Sequence, residues 1–492
     1  MPLAGNPLLR RDIDIGTRRA NKGRSHMLGT LRDLAARLQS GETTSSELVR
    51  ACLARIAARD PSHTVFLEVF KDAQQQADHV DQQRASGTPV PLFAGIPISV
   101  KALFDVPGHT TTAGSRVLKE QAPAQQDARA IARLKQAGFI VIGATNMTEF
   151  AYSGLGMNPH YGTPPNALDA NRIPGGSSSG AAVAVAQGMC AASIGTDTGG
   201  SCRIPAAFNG LVGFKPTASR VPMEGVFPLS PSLDSVGPLA ATVECCAILD
   251  AVMSGNETVS QSPVKINGLR LGVLRTVVFD DAEAVITSSF GAAIDQLICA
   301  GADVIDVEIA SLEDLAKVSN SGGVVAHEAF KLHQDLIALS ASQYDPRVLS
   351  RIEKGRHQTA AQLDAYLNVR RAVIDELSLC ARDVDAIVYP TTPITAPTCQ
   401  SLDDDDAYNR ANLLCLRNPT VANLADGCSL SLPIKAQNGL SAGFCLVQRN
   451  GADAHLLSVA KEVERVFTTH DIAFTRVRSL RSQGSRRDIL VK

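Results

Sequence analysis

Apolar positions along the chain recur with two periods, and the changes of period mark the elements. In residues 28–58, Thr44 and Glu47 form a capping-box pattern. Leu48, Ala51, Cys52 and Ile56 then recur at helical spacing. A Gly/Pro-rich stretch, Gly87 to Pro91, predicts a loop before the apolar segment Ala94–Val100. Asp127–Gln136 reads as an amphipathic helix ended by Gly138, and Phe139–Ala144 as a buried strand. Ser178–Gln187 is Ala-rich and apolar all round, which is the pattern of an interior helix, and Cys190–Gly195 suits a strand. Leu269–Leu274, Glu283–Ala300 and Asp303–Glu308 read as strand, helix, strand; Asp385–Tyr389 is a further strand stopped by Pro390. Strands alternating with helices of this length imply an α/β layered sheet, largely parallel.

Other stretches lack this alternation. Residues 1–26 are rich in Arg, Asn and Gly without periodicity and are expected to be a disordered tail. Residues 310–382 are mostly helical in pattern and charged, as in an insertion that covers one edge of the sheet. The last residues, 471–492, are basic and expected to be loose. No internal repeat is present.

The 492 residues, 45% of them hydrophobic, can bury one large core or two ordinary ones. A formal net charge of −2 gives no general case for nucleic acid or an anionic membrane as partner. No apolar run is long enough to span a bilayer, and Arg10, Arg11, Asp12 and Asp14 interrupt any secretory signal core. Eleven cysteines, an odd number with no Cys-x-x-Cys pair, sit mostly in apolar runs. That is the usage of a reducing compartment, so a cytoplasmic location is expected.

Chemistry concentrates between Arg172 and Thr217. Two Gly-Gly-Ser triplets, 175–177 and 199–201, can each present a hydroxyl on a loop with little steric cover. A serine hydroxyl is a poor nucleophile until something accepts its proton. No histidine falls inside this block; His160 is the one nearest in sequence. The other candidate base is Lys101, which closes Gly-Ile-Pro-Ile-Ser-Val-Lys. A lysine at the end of a buried strand is desolvated, and desolvation lowers its pKa toward neutrality. Each feature also has a plain structural reading. Lys101 can be a surface charge, Ser177–Ser179 helix N-cap residues, and Thr198–Ser201 a tight turn into Arg203. Asp197 suits an anchor for that turn through backbone amides, and Cys202 a packing residue.

Taken together, the Lys101 segment, Gly175-Gly176-Ser177-Ser178-Ser179-Gly180 and Gly199-Gly200-Ser201-x-Arg203-Ile-Pro205 resemble the amidase signature family. Ser177 and Ser201 stand 24 residues apart, which fits that family's pattern. Asn146, Pro390-Thr391-Thr392-Pro393 and Asn423 continue the likeness, which runs from about residue 28 to 470. The resemblance implies one large α/β domain over 27–470, its central mixed twisted β-sheet sandwiched between helices. It implies Ser201 as nucleophile and Ser177, after a cis peptide bond, as the bridge to the general base Lys101. Backbone N–H groups of Thr198, Gly199, Gly200 and Ser201 would form the oxyanion hole, and losing one such donor typically costs roughly 3 kcal/mol. Ser178 and Ser179 would hold Lys101, and Arg203 would brace the loop. The reaction implied is hydrolysis of a small-molecule carboxamide through an acyl-serine, with no metal or cofactor and a possible homodimer. The substrate pocket is expected from residues 146–165 and the helical insertion, with Asn146, Tyr152, Met157 and His160 as candidates.

Three rivals accompany this reading. Within the family, the alternative is the glutamine-hydrolysing chain of an aminoacyl-tRNA amidotransferase, its A-type subunit, which releases ammonia from glutamine. The segment His327–Val373 looks more like the insertion of a free-standing hydrolase. Gly176-Ser177-Ser178-Ser179-Gly180 also fits the nucleophile elbow of an α/β-hydrolase esterase, which would make Ser178 the nucleophile with His327 or His455. A phosphate-binding module would use the same Gly-rich loops, although the Walker pattern is absent. His327 and His333, six residues apart around Glu328, fall on different faces of a helix and suit a solvated face better than a metal site.

Overall fold

Local chemistry starts the elements where the pattern places them. Thr44 accepts from the Glu47 amide while the Glu47 carboxylate takes the Thr44 amide, and helix Ser45–Arg59 follows. Helix Ser179–Ala186 is buried at every position, as an all-apolar helix must be. The structure, a computed structural model, describes residues 27–256, 264–436 and 438–484. The expected N-terminal tail lies outside these residues. A C-terminal helix spans Asp453–Gly484, so part of the stretch expected to be loose is helical; residues 485–492 lie outside the described set.

The strands are β1 (Phe66–Val69), β2 (Pro97–Lys101), β3 (Ile140–Thr145), β4 (Ala192–Thr196), β5 (Val212–Lys215), β6 (Val236–Ala240), β7 (Arg270–Leu274), β8 (Asp303–Val307), β9 (Ala386–Pro390), β10 (Cys428–Lys435) and β11 (Ser441–Gln448). They form one sheet of 11 strands among the described residues, in the order β1-β3-β2-β4-β6-β5-β10-β11-β9-β7-β8. Pairing is parallel in β3-β2-β4 and in β9-β7-β8. It is antiparallel from β4 through β6, β5, β10 and β11 to β9. The pattern-based expectation of a largely parallel sheet therefore holds within these two segments and fails at the centre and at the edge, where β1 pairs antiparallel with β3. The domain is a single α/β layer structure with a mixed sheet between helices, as the family likeness implied.

The central strands lack the signal that would reveal them. All eight positions of β11 are buried, so no alternation marks its two faces. In β10, Ser429 and Ser431 flank Leu430, and both are fully buried. Their hydroxyls meet Arg203 and Thr391 inside the protein rather than water.

Between β8 and β9 lie helices Ser311–Val318, Gly323–Ser340, Pro346–Glu353 and Ala360–Cys380. They grip the loops that follow β3 and precede β6. The Asp345 amide donates to Glu149 at 2.7 Å, and Arg351 donates to the Tyr152 carbonyl at 2.7 Å. Leu233 packs in one cluster with Val324, Tyr366 and Leu424. No helix of the described residues is long and apolar enough to cross a membrane.

Candidate active site

Strand β2 delivers Lys101 to the centre of the molecule. Its parallel neighbour β4, in register Val100 to Ile194, delivers Thr196 and the turn Asp197–Ser201 alongside. The Lys101 ammonium is fully buried and donates to Ser177 Oγ at 2.7 Å and Thr196 Oγ1 at 2.9 Å. Burial lowers its pKa to about 8, partly offset by the nearby Asp197 and Asp234 carboxylates. Thr196 therefore takes the place expected of Ser178 and Ser179. Ser178 Oγ donates instead to the Thr196 carbonyl (3.3 Å), and Ser179 Oγ to the Asn146 carbonyl (3.4 Å). The contact of Ser178 with Thr196 also argues against the elbow reading, and His455 lies elsewhere, beside Asp385.

The peptide bond Gly176–Ser177 is cis. A Cβ on Gly176 would lie 2.5 Å from the Gly156 nitrogen, so only glycine fits at that junction. The Thr148 amide donates to the Ser177 carbonyl at 3.1 Å, and the Ser178 amide to the Ser201 carbonyl at 3.3 Å. The second bond sets the two serine loops side by side. Among the hydrogen bonds of the described residues, none joins the Ser177 and Ser201 hydroxyls themselves. Ser201 is buried, 3% exposed.

The turn carrying Ser201 is built around Asp197. Its carboxylate accepts from the Gly200 amide (2.8 Å), the Cys202 amide (3.1 Å), Arg203 Nε (3.0 Å) and Arg203 Nη2 (2.9 Å). Burial would raise the Asp197 pKa, but Arg203, Asn423 and Lys215 together hold it well below the usual carboxylate range. Arg203, also fully buried, continues to the Pro419 carbonyl and to Asn423 Oδ1, both at 2.7 Å. Burial works against its charge too, and Asp197 more than restores it. This arrangement corrects the expected oxyanion hole. The Gly200 amide is taken by Asp197, while those of Thr198, Gly199 and Ser201 have no acceptor among the described residues. Gly200 has φ of +122°, and a Cβ there would meet Pro419 Cγ at 2.6 Å, so the turn requires glycine.

Thr198 Oγ1 donates to Asp234 Oδ1 at 2.5 Å. Asp234 is buried, which raises its pKa to about 6 against the hydrogen bonds it accepts and the nearby Lys101 charge. The sequence motifs point to neither Thr196 nor Asp234. Thr196 sits next to Asp197 in the motif and could have been found by strand register; Asp234 carries no local signal. Cys202 is fully buried, with its thiol pKa pushed up and its Sγ at the Gly237 carbonyl.

The pocket candidates divide. Asn146 is fully buried and ties loops together, donating to the Thr64 (2.8 Å) and Gly162 (2.9 Å) carbonyls and accepting from the Met147 amide. It belongs to the scaffold rather than a pocket. His160 Nε2 meets the buried Glu149 carboxylate at 2.9 Å. Met157 packs with the cluster of Leu155, Ile204 and Phe208, and Tyr152 against the main core. Helix Asp405–Leu424 packs instead against the turn that carries Ser201. Thr420 Oγ1 donates to the Gly199 carbonyl at 3.1 Å, and a Cβ on Gly199 would find Leu416 at 3.6 Å.

Residues 47–457 match the family model described as Amidase. Two curated relatives are similar over most of their length. One is a 2-amino-5-chloromuconic acid deaminase from Comamonas testosteroni, 34% identical, covering 88% of this chain and 95% of the relative. The other is the A-type chain of a glutamyl-tRNA(Gln) amidotransferase from Roseiflexus sp., 34% identical, covering 90% and 97%. A crystal structure of an amidase superposes with a TM-score of 0.81 at 30% identity, covering 89% of this chain and all of that one.

Proposed function

The chain belongs to the amidase family, and on that premise we propose that it is a free-standing amidase using Lys101, Ser177 and Ser201. The observation that carries this reading is the fully buried Lys101 amine, whose hydrogen bonds go to two hydroxyls, Ser177 and Thr196, with no carboxylate among them. An amine so placed is held neutral far more readily than one in water, and a neutral amine accepts a proton. Lys101 takes the proton of Ser177 as Ser177 takes that of Ser201. Seating of substrate draws the two hydroxyls into contact, since catalytic hydrogen bonds commonly tighten only in the loaded enzyme.

Ser201 Oγ then forms a bond to the amide carbon, and the carbonyl oxygen becomes an oxyanion facing the N–H groups of Thr198, Gly199 and Ser201. The C–N bond breaks as the relayed proton passes to the leaving nitrogen, which departs as ammonia or an amine. Water adds to the acyl-serine by the same relay, giving a carboxylate and restoring the serine. Ammonia release from a panel of aliphatic, aryl and amino-acid amides tests the reading. Ser201→Ala and Lys101→Ala should each abolish it while circular dichroism stays unchanged. Undiminished release by Ser201→Ala overturns the assignment. The likeness to the amidotransferase chain supports a second reading, in which glutamine is the ammonia donor. Glutamine as the one amide turned over, together with a co-purifying partner, would favour it.

A further inference from the structure

The helical insertion reaches the nucleophile turn through an unbroken series of hydrogen bonds. Glu328, half-buried on helix Gly323–Ser340, accepts from Ser230 Oγ at 2.6 Å, from the Ser232 amide at 3.1 Å and from the Ser232 hydroxyl. The Ser230 amide donates to Asp234 Oδ2 at 3.0 Å, joined there by the Leu229 amide at 2.9 Å. The other Asp234 oxygen takes the Thr198 hydroxyl. Ser230 thus bridges two carboxylates, its hydroxyl serving Glu328 and its amide serving Asp234. Thr198 closes the series as one of the residues whose amide has no acceptor among the described residues.

We propose that Glu328 is a positioning residue for catalysis: seated on the insertion, it sets the oxyanion-binding turn through Ser230, Asp234 and Thr198. The proposal rests on the assignment of Ser201 as nucleophile. Its physical basis is the geometry of the turn. A hydroxyl fixed to Asp234 limits rotation at Thr198, and the peptide N–H groups at 198 and 199 point where that residue's backbone sends them. Preorganised donors stabilise a developing oxyanion; donors that must first be oriented do not. Glu328 is suited to hold the far end. A carboxylate is acceptor-only, and here three donors from one short loop converge on it. The remaining anchors of that loop, the Leu233 packing and Arg370 at the Ser232 carbonyl, survive its removal.

The test needs no knowledge of the substrate. A fluorophosphonate reacts with an activated serine by forming an Oγ–P bond and releasing fluoride, with the serine proton passing to the base. Its phosphoryl oxygen occupies the oxyanion position. Labelling rates are measured for wild type, Ser201→Ala, Glu328→Ala, Glu328→Gln, Thr198→Val and the Glu328→Ala/Thr198→Val pair, each with its Tm. Wild type should be labelled at Ser201 and Ser201→Ala not; labelling of both at one rate overturns the nucleophile and this proposal with it. With the nucleophile upheld, Glu328→Ala should slow labelling about tenfold, and Glu328→Gln, which keeps an acceptor oxygen, should stay within about twofold of wild type. Adding Glu328→Ala to Thr198→Val should slow it no further, because the series is already cut. A wild-type rate in Glu328→Ala, or slowing that multiplies in the double variant, overturns the positioning role. If Glu328→Ala does not fold, Ser232→Ala removes part of the same clamp and is read against Thr198→Val in the same way.

Discussion

Two fully buried cations flank the turn that carries Ser201, and their surroundings give them opposite fates. Arg203 faces the Asp197 carboxylate with two of its nitrogens and fills its other donors with Asn423, Ser429 and the Pro419 carbonyl. Its charge is locked in. Lys101, on the other side, meets only hydroxyls, and burial brings its pKa down to about 8. One buried cation is a permanent charge that braces the loop; the other is poised to lose its proton. The lesson is that burial alone sets neither outcome. A carboxylate within hydrogen-bond reach decides it, because it repays in Coulomb energy what desolvation costs.

The largest expected effect separates the two. Lys101→Met should cut turnover by about 10³-fold or more through loss of the base, yet leave Tm unchanged or raised, since an apolar side chain replaces a buried amine. Arg203→Met should instead cost about 3–5 kcal/mol in urea unfolding, because it strands the Asp197 charge in the interior. Equal stability losses in the two variants would break the comparison. Arg203→Lys should recover only part of that loss, remaining about 2 kcal/mol below wild type, because a single ammonium cannot span the acceptors that the planar fork reaches.

A smaller effect lies in pH. The proposed relay requires neutral Lys101, so kcat/KM should rise tenfold per pH unit below about 8 and level off above it. The linked stability has a definite sign. The folded value lies below the ordinary 10.5, so between about 8 and 10.5 the unfolded chain holds the extra proton. Wild type should gain stability relative to Lys101→Met as pH rises across that window, with no change in the difference below it. The smallest effect sharpens the assignment of Thr196. Thr196→Val removes an acceptor that favours the ammonium form, so the acid limb of the rate profile should move down by about half a pH unit. An unmoved limb would mean that the Thr196 hydroxyl does not hold the amine.

Local residue pattern marks out the chemistry-bearing segments and most elements at the flanks of the sheet. Thr44 and Glu47 announce a helix start because a capping box is satisfied locally. Ser177 and Ser201 stand out because two Gly-Gly-Ser triplets each present a hydroxyl on a loop with little steric cover. Lys101 was readable as a candidate base because it ends an apolar strand, and an apolar strand carries its last residue indoors. The tertiary structure alone decided what surrounds these groups. The antiparallel centre was hidden because strands buried on both faces lose alternation. Thr196 as the second partner of Lys101, Asp234 behind Thr198, and the diversion of the Gly200 amide to Asp197 are contacts fixed by register and packing. Asn146 read as a pocket residue, yet its amide binds backbone carbonyls of two separate loops, Thr64 and Gly162. Residue type states what a side chain can donate or accept, whereas which partner it finds depends on chain segments far away in sequence, as Arg203 finds Asn423.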